Sequence, residues 1–127
     1  MRLVIGGYAQ GKLDYVLEKY HLRENMVWDG HLPADEAGQA GTVVINHLHH
    51  WVKRRILEGG CPEEEILSFA EKFSDCIMIS DEIGNGIVPV DPTEREYRER
   101  MGKILIRLAD MAEGVERVIC GIGQTIK

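Results

Sequence analysis

The apolar residues of this chain fall into short continuous runs that are each followed by a stretch with helical spacing. Two runs rich in β-branched residues, Arg2–Ile5 and Thr42–Ile45, predict buried strands, and Ile77–Ile79 predicts a third. Because strands alternate with helices along the chain, the pattern predicts an α/β protein. Its sheet should be mostly parallel, with right-handed crossovers and helices on both faces.

Four segments carry apolar residues at the spacing of one helix face. The first is Leu13–Tyr20, and the second runs from Leu48 to Leu57. The third, Pro62–Lys72, begins with a proline and three glutamates, which suit the first turn of a helix. The fourth and longest is Thr93–Ala112.

The remaining segments predict short strands and two loops. Met26–Trp28 and Val118–Cys120 predict strands, and Thr125–Lys127 predicts an edge strand. Asp29–Gly41 and Ser80–Pro92 lack a period and contain turn-forming residues, so both are predicted loops. No repeat or long linker divides the chain, and we therefore predict a single domain over residues 1–127.

Composition restricts the classes of function. The chain has 127 residues, of which 44% are hydrophobic, and a formal net charge of −6. This acidic balance argues against a protein that coats nucleic acid. No apolar run has the length of a membrane span or of a secretory leader, so we expect a cytoplasmic protein with no membrane partner. The unpaired spacing of Cys61, Cys76 and Cys120 predicts reduced thiols that serve as packing residues.

The segment between the first strand and the first helix fits seven of the eight positions of the phosphate-binding loop Gly-x-x-x-x-Gly-Lys-Ser/Thr. These seven are Gly6, Gly7, Tyr8, Ala9, Gln10, Gly11 and Lys12. Glycines let the backbone N–H groups wrap around phosphate oxygens, and the following helix start attracts anions. Lysine would contact the outer phosphates. The alternative is a tight strand-to-helix connection that binds no ligand.

The eighth position of the motif is Leu13, where a hydroxyl would hold Mg²⁺. Leucine has no ligand atom. We therefore predict that residues 6–13 bind a nucleotide, GTP or ATP, and that efficient metal-assisted phosphoryl transfer is not favoured. A metal site is not predicted.

Three further segments carry a resemblance to a known family. The stretch Ile79–Pro89, Ile-Ser-Asp-Glu-Ile-Gly-Asn-Gly-Ile-Val-Pro, is similar to that family's strand-and-loop signature. Positions of the longest helix and the final stretch Val118–Lys127 also match, as does the pattern from Gly6 to Lys12. On these residues the chain resembles the adenosylcobinamide kinase / adenosylcobinamide-phosphate guanylyltransferase family of cobalamin assembly. The resemblance covers about residues 1–20 and 42–127.

The resemblance implies a RecA-like fold, often a homotrimer, that phosphorylates adenosylcobinamide and then transfers GMP through a guanylylated histidine. This chain departs from the pattern in four places. Leu13 replaces Ser/Thr, Asn46 replaces an acid that anchors Mg²⁺, and Leu105 replaces an asparagine. The segment with the histidine nucleophile has shrunk to the loop at about 29–41, where His31 has no matching surroundings. These departures predict that guanylyl transfer is lost and that kinase activity is lost or weak.

Histidines and acids near the predicted site have competing interpretations. His47, His49 and His50 are predicted as surface or subunit-contact residues, and the alternatives are a metal site, a relocated nucleophile, or a phosphate or substrate contact. Asp81 and Glu82 end a strand near the predicted loop, because ligands of parallel sheets bind beyond the carboxyl ends of strands. The resemblance favours Glu82 for substrate or metal contact, and the alternative is a carboxylate that caps the following turn.

Two functional hypotheses remain open from the sequence. One is a nucleotide-binding relative without catalysis, which serves as a regulatory or partner subunit or binds a corrinoid. The other is a working, reduced kinase in which Lys12 and Glu82 are catalytic. Both predict a nucleotide partner, and the resemblance implies a homo-oligomer.

Overall fold

The computed structural model describes residues 1–34, 41–83 and 90–127. Three sequence-based predictions lie partly outside these residues. The loop at 29–41 does so at 35–40, and both the loop at 80–92 and the 79–89 signature do so at 84–89.

The described residues form six strands and four helices. The strands are β1 (Arg2–Gly6), β2 (Val27–Asp29), β3 (Val43–Asn46), β4 (Cys76–Asp81), β5 (Gly114–Ile119) and β6 (Ile122–Thr125). The helices are α1 (Lys12–Lys19), α2 (Leu48–Leu57), α3 (Pro62–Lys72) and α4 (Pro92–Met111), and a short 3-10 turn, Glu24–Met26, precedes β2. Their order along the chain is β1-α1-β2-β3-α2-α3-β4-α4-β5-β6.

All six strands join one sheet in the order β2-β3-β4-β1-β5-β6. Pairing is parallel throughout except between β5 and β6, which form an antiparallel hairpin. The predicted α/β class with a mostly parallel sheet is therefore confirmed. Among the described helices, none is long and apolar enough to span a membrane.

The two faces of the sheet carry separate apolar cores, because successive strand residues point to opposite sides. In β1, Leu3 belongs to the large core that also includes buried residues of α2, α3 and α4. Its neighbour Val4 belongs to the small core on the other face, together with Val16 of α1. Helices thus cover both faces, as predicted, with three on one face and one on the other.

The end of the chain differs from the prediction. Residues Val118–Cys120 were predicted as the last strand, but β5 begins four residues earlier, at Gly114, and Cys120 lies in the turn to β6 with φ +50°. The predicted edge strand Thr125–Lys127 is also displaced, since β6 spans Ile122–Thr125. Because charged Glu116 and Arg117 interrupt the apolar pattern of β5, the sequence did not indicate where this strand begins.

The cysteine prediction is correct for one thiol only. Cys76 is buried in the large core, but Cys61 and Cys120 are exposed and do not pack in the interior.

The register of the sheet decides which residues meet at its carboxyl edge. Gly6, the last residue of β1, lies opposite Asp81 on β4 and opposite Val118 on β5. The pairing of β3 with β4 ends at Ile45 and Met78. Asn46 therefore stops about two residues short of the level of Asp81.

Candidate functional site at the carboxyl edge of the sheet

Five residues, Gly7 to Gly11, connect β1 to α1 and form a curved loop. Ala9 and Gly11 both adopt left-handed backbone conformations, with φ values of 55° and 83°. Within residues 1–34, 41–83 and 90–127, no acceptor pairs with the backbone N–H groups of this loop. These five N–H groups, which the described part of the chain leaves without an acceptor, lie beside a helix N-terminus and can donate to an anion. Tyr8 stands at the tip and is 85% exposed.

The loop is fastened to the turn between β5 and β6 through Gln10. The side-chain oxygen of Gln10 accepts a hydrogen bond from the N–H of Cys120 at 2.7 Å. Its backbone oxygen accepts from the N–H of Gly121 at 2.8 Å. These two bonds fix the loop's position relative to the end of the sheet.

Lys12, the first residue of α1, points back over the loop and is buried. Its ammonium group donates to the backbone oxygen of Gly7 at 2.7 Å and forms an ion pair with Asp81 at 2.7 Å. The lysine and aspartate side chains are only 8% and 17% exposed. The predicted phosphate-binding lysine is thus held at the mouth of the loop by a carboxylate on the neighbouring strand.

Glu82, which the family resemblance favoured over Asp81, contacts a different partner. Its carboxylate accepts a hydrogen bond from Arg117 of β5 at 3.0 Å. Its backbone N–H donates to the oxygen of Gly6 at 2.8 Å, which keeps the residue beside the loop. Asp81 is therefore the acid that contacts Lys12. A catalytic role for Lys12 or Glu82 stays a prediction.

The two positions implied as magnesium anchors do not fit Mg²⁺. Leu13 is partly buried and packs against the small core beneath α1, so it offers no oxygen. Asn46 is buried, and its amide nitrogen donates to the carboxylate of Asp29 at 3.1 Å. Because β4 separates β3 from β1, Asn46 is also about 10 Å from the loop strand in the plane of the sheet. Among the described residues no cluster of three or more His, Cys, Asp or Glu could hold a metal.

The three histidines are not equivalent. His50 is exposed and His47 is partly exposed, with its ring hydrogen-bonded to Asp29. His49 is buried, so its prediction as a surface residue is wrong. Val52 and Ile56 follow His49 at positions i+3 and i+7, so the three residues lie on the same face of α2. That spacing was the sequence signal for an inward-facing position.

His49 orients Asp81. Its Nδ1 accepts a hydrogen bond from the backbone N–H of Asp81 at 3.2 Å, and its Nε2 lies 3.3 Å from the second carboxylate oxygen. Since Nδ1 is an acceptor, the neutral ring carries its proton on Nε2 and can donate it to the carboxylate. Burial lowers the pKa of His49 to about 4, although the charge of Asp81 acts in the opposite direction. The ring is therefore neutral at pH 7.

Comparison with known proteins identifies a family and a similar protein. The model of a family described as cobinamide kinase / cobinamide phosphate guanyltransferase matches residues 17–126. This range begins after Lys12 and does not include the loop. The chain is also similar to the bifunctional adenosylcobalamin biosynthesis protein CobU of Salmonella typhimurium, with 39% identity over 51 residues. That alignment covers 40% of this chain and only 28% of the length of the relative.

Proposed function

Since this chain belongs to the cobinamide kinase / cobinamide phosphate guanyltransferase family, we propose that it binds a nucleotide or another phosphate ligand. The Gly6–Lys12 segment would hold the phosphate. In this proposal guanylyl transfer is lost, and phosphoryl transfer is lost or weak.

The observation that carries the proposal is the placement of Lys12. A buried ammonium group faces a loop whose five N–H donors have no acceptor among the described residues, at the carboxyl edge of a parallel sheet. Ligands of open α/β sheets bind at this edge, and backbone donors with one lysine are a common means of binding phosphate. GTP and ATP are the nucleotides to test.

The proposed loss of catalysis follows from the donor set. Phosphoryl transfer is accelerated mainly by stabilisation of the charge that develops on the phosphates in the transition state. A bound Mg²⁺ contributes roughly several kcal/mol to this stabilisation. Leu13 and Asn46 provide neither a hydroxyl nor a carboxylate for that ion. A regulatory subunit, a subunit that accompanies a complete enzyme, or a corrinoid-binding protein would need no such ion.

The alternative is an active, reduced adenosylcobinamide kinase. The bond from the N–H of Glu82 to Gly6 favours it, because it keeps a second carboxylate beside the loop. In this alternative Lys12 and the loop N–H groups hold the phosphates and Glu82 is catalytic.

Calorimetry with GTP and ATP, each with and without Mg²⁺, tests the proposal. We expect binding without the metal, and a loss of at least 10-fold in affinity in Lys12→Met. Lys103→Met is the matched control, because Lys103 is exposed on α4, far along the chain from the loop. Equal affinities for the wild type and Lys12→Met would refute the proposed site.

A product assay on adenosylcobinamide with the same nucleotides separates the two candidates. Phosphorylated product formed by the wild type and not by Lys12→Met would establish the kinase alternative. No product, together with metal-independent nucleotide binding, supports the primary proposal. We also propose that the protein forms a homo-oligomer, which the family resemblance suggests is a trimer. Sedimentation of the free protein measures its oligomeric state.

A further inference from the structure

The ammonium group of Lys12 already has an anionic partner before any ligand arrives. It lies 2.7 Å from one carboxylate oxygen of Asp81, and both side chains are largely buried. A phosphate oxygen that approached Lys12 would meet this carboxylate. Two anions close together in a partly buried site repel each other strongly.

Asp81 is held in this position from its other side. His49 contacts the second carboxylate oxygen at 3.3 Å and accepts a hydrogen bond from the backbone of Asp81 at 3.2 Å. His49 is itself fixed in the first turn of α2, where its backbone oxygen accepts a hydrogen bond from Tyr97 of α4. The contact between Lys12 and Asp81 is therefore part of the packed structure and not a loose surface pair.

A divalent cation is the usual means of joining a carboxylate to a phosphate, and here the expected anchors are absent. Leu13 packs in the small core, and Asn46 is bonded to Asp29. One carboxylate that is already bonded to a lysine and a histidine does not replace an anchored metal site.

We propose that Asp81 is an internal counter-anion that competes with the phosphate ligand for Lys12 and so sets the affinity of the site. Binding breaks the pair between Lys12 and Asp81 and replaces the carboxylate with a phosphate oxygen, without a metal. This inference rests on the proposed function. The ligand class is an anionic phosphate group, free or at the end of a nucleotide.

Asp81→Asn tests this competition, because asparagine keeps the size of the side chain and removes its charge. The probes are inorganic phosphate, GTP and ATP, each titrated in EDTA and again with Mg²⁺. We expect Asp81→Asn to bind the nucleotides at least 10-fold more tightly than the wild type in EDTA. Tighter binding of inorganic phosphate as well identifies the phosphate group alone as the ligand, and an effect on nucleotides only identifies the whole nucleotide.

Asp75→Asn is the matched control. Asp75 is exposed just before the first residue of β4, at the opposite edge of the sheet, so its removal changes the net charge equally and should leave the affinities unchanged. Thermal unfolding verifies that both variants fold. If Asp81→Asn does not fold, Asp81→Ser removes the same charge with a smaller side chain.

Three results would overturn the inference. An unchanged affinity in Asp81→Asn excludes competition. Weaker nucleotide binding, with a Mg²⁺ effect that the wild type has and the variant lacks, would make Asp81 a metal ligand. If neither protein binds any probe at millimolar concentration, the proposed function fails as well. Binding by the wild type without a gain in the variant overturns the competition alone.

Discussion

A β-carbon added to Gly6 would lie 2.5 Å from the backbone oxygen of Val118. The close approach of β1 and β5 at the start of the loop therefore requires a glycine here, whether or not the loop binds a ligand. Real β-carbons do not tolerate such a distance, so one of the two strands must shift to accommodate a larger residue.

Gly6→Ala should consequently destabilise the protein by about 1–3 kcal/mol, the usual range for overpacking. Gly102→Ala is its control, since nothing lies within 4 Å of a β-carbon at that helical position. We expect a gain of about 0.5–1 kcal/mol there from helix propensity. Denaturant unfolding measures the change in unfolding free energy for both variants, which should be a loss for Gly6→Ala and a gain for Gly102→Ala. A Gly6→Ala protein as stable as the wild type would contradict the close approach of the two strands.

Glu116 predicts a second stability effect. This carboxylate is buried on β5 and accepts hydrogen bonds from Tyr15 at 2.9 Å and Tyr20 at 2.7 Å, while Lys19 pairs with it directly. Burial alone would raise its pKa, but the bonds from Lys19 and the two tyrosines outweigh burial and lower it. Glu116→Ala removes the acceptor of three donors at once.

We expect Glu116→Ala to lose about 2–4 kcal/mol of unfolding free energy, because it leaves partners of a buried carboxylate unpaired. Glu113→Ala, at an exposed position of the same chain segment, should change the stability by less than about 0.5 kcal/mol. Since a lowered carboxylate pKa stabilises above the pKa of the unfolded chain, the difference between wild type and variant should shrink as the pH falls below about 4. A difference that stays constant with pH would show that Glu116 is not charged in the folded protein.

The burial of His49 makes the folded protein less stable at acidic pH. A histidine whose pKa is raised by an acidic partner would have the opposite effect. The folded pKa of His49, about 4, lies below the reference value of about 6.5, so the unfolded chain binds the proton first. The folded state therefore loses stability as the pH falls from about 6.5 to 4. At pH 5 the loss from this residue amounts to about 2 kcal/mol.

His49→Asn should remove that part of the pH dependence, since asparagine does not titrate. The measurement compares unfolding free energies at pH 7 and pH 5 for the wild type and the variant. His21→Asn is the control, because His21 is exposed and its φ of 54° is a conformation that asparagine tolerates. If His49→Asn loses as much stability at pH 5 as the wild type, the neutral buried ring is disproved.

The cysteines make a simple labelling prediction. Burial raises the pKa of the Cys76 thiol to about 11, whereas Cys61 and Cys120 are exposed. Two thiols per chain should react rapidly with a disulfide reagent in the native protein at pH 8, and the third only after denaturation. Cys76→Ala should retain both fast thiols. A single fast thiol, or three, would contradict the burial pattern.

The sequence alone determined the order of the elements and the location of the loop. Helix α3 begins at Pro62 and ends at Lys72 as predicted, because proline and glutamates at a helix start and the spacing of apolar residues are local signals. The first strand and the glycine-rich turn after it were also predicted from local sequence signals. The mostly parallel pairing was predicted from helices between strands, since a crossover helix is long enough to return the chain to the same end of the sheet. This reason applies to the helices that precede and follow β4, whereas β2 and β3 pair in parallel with no described helix between them.

Only the tertiary structure decided which residues meet at the site. The sheet order places β4 beside β1, and the register brings Asp81 level with Gly6, so Lys12 pairs with Asp81 and not with Glu82. The burial of Glu116 was hidden for the same reason. A charged residue in a strand looks exposed until its partners on α1, distant in sequence, are brought within hydrogen-bonding distance, and pairing between distant segments leaves no mark in local periodicity.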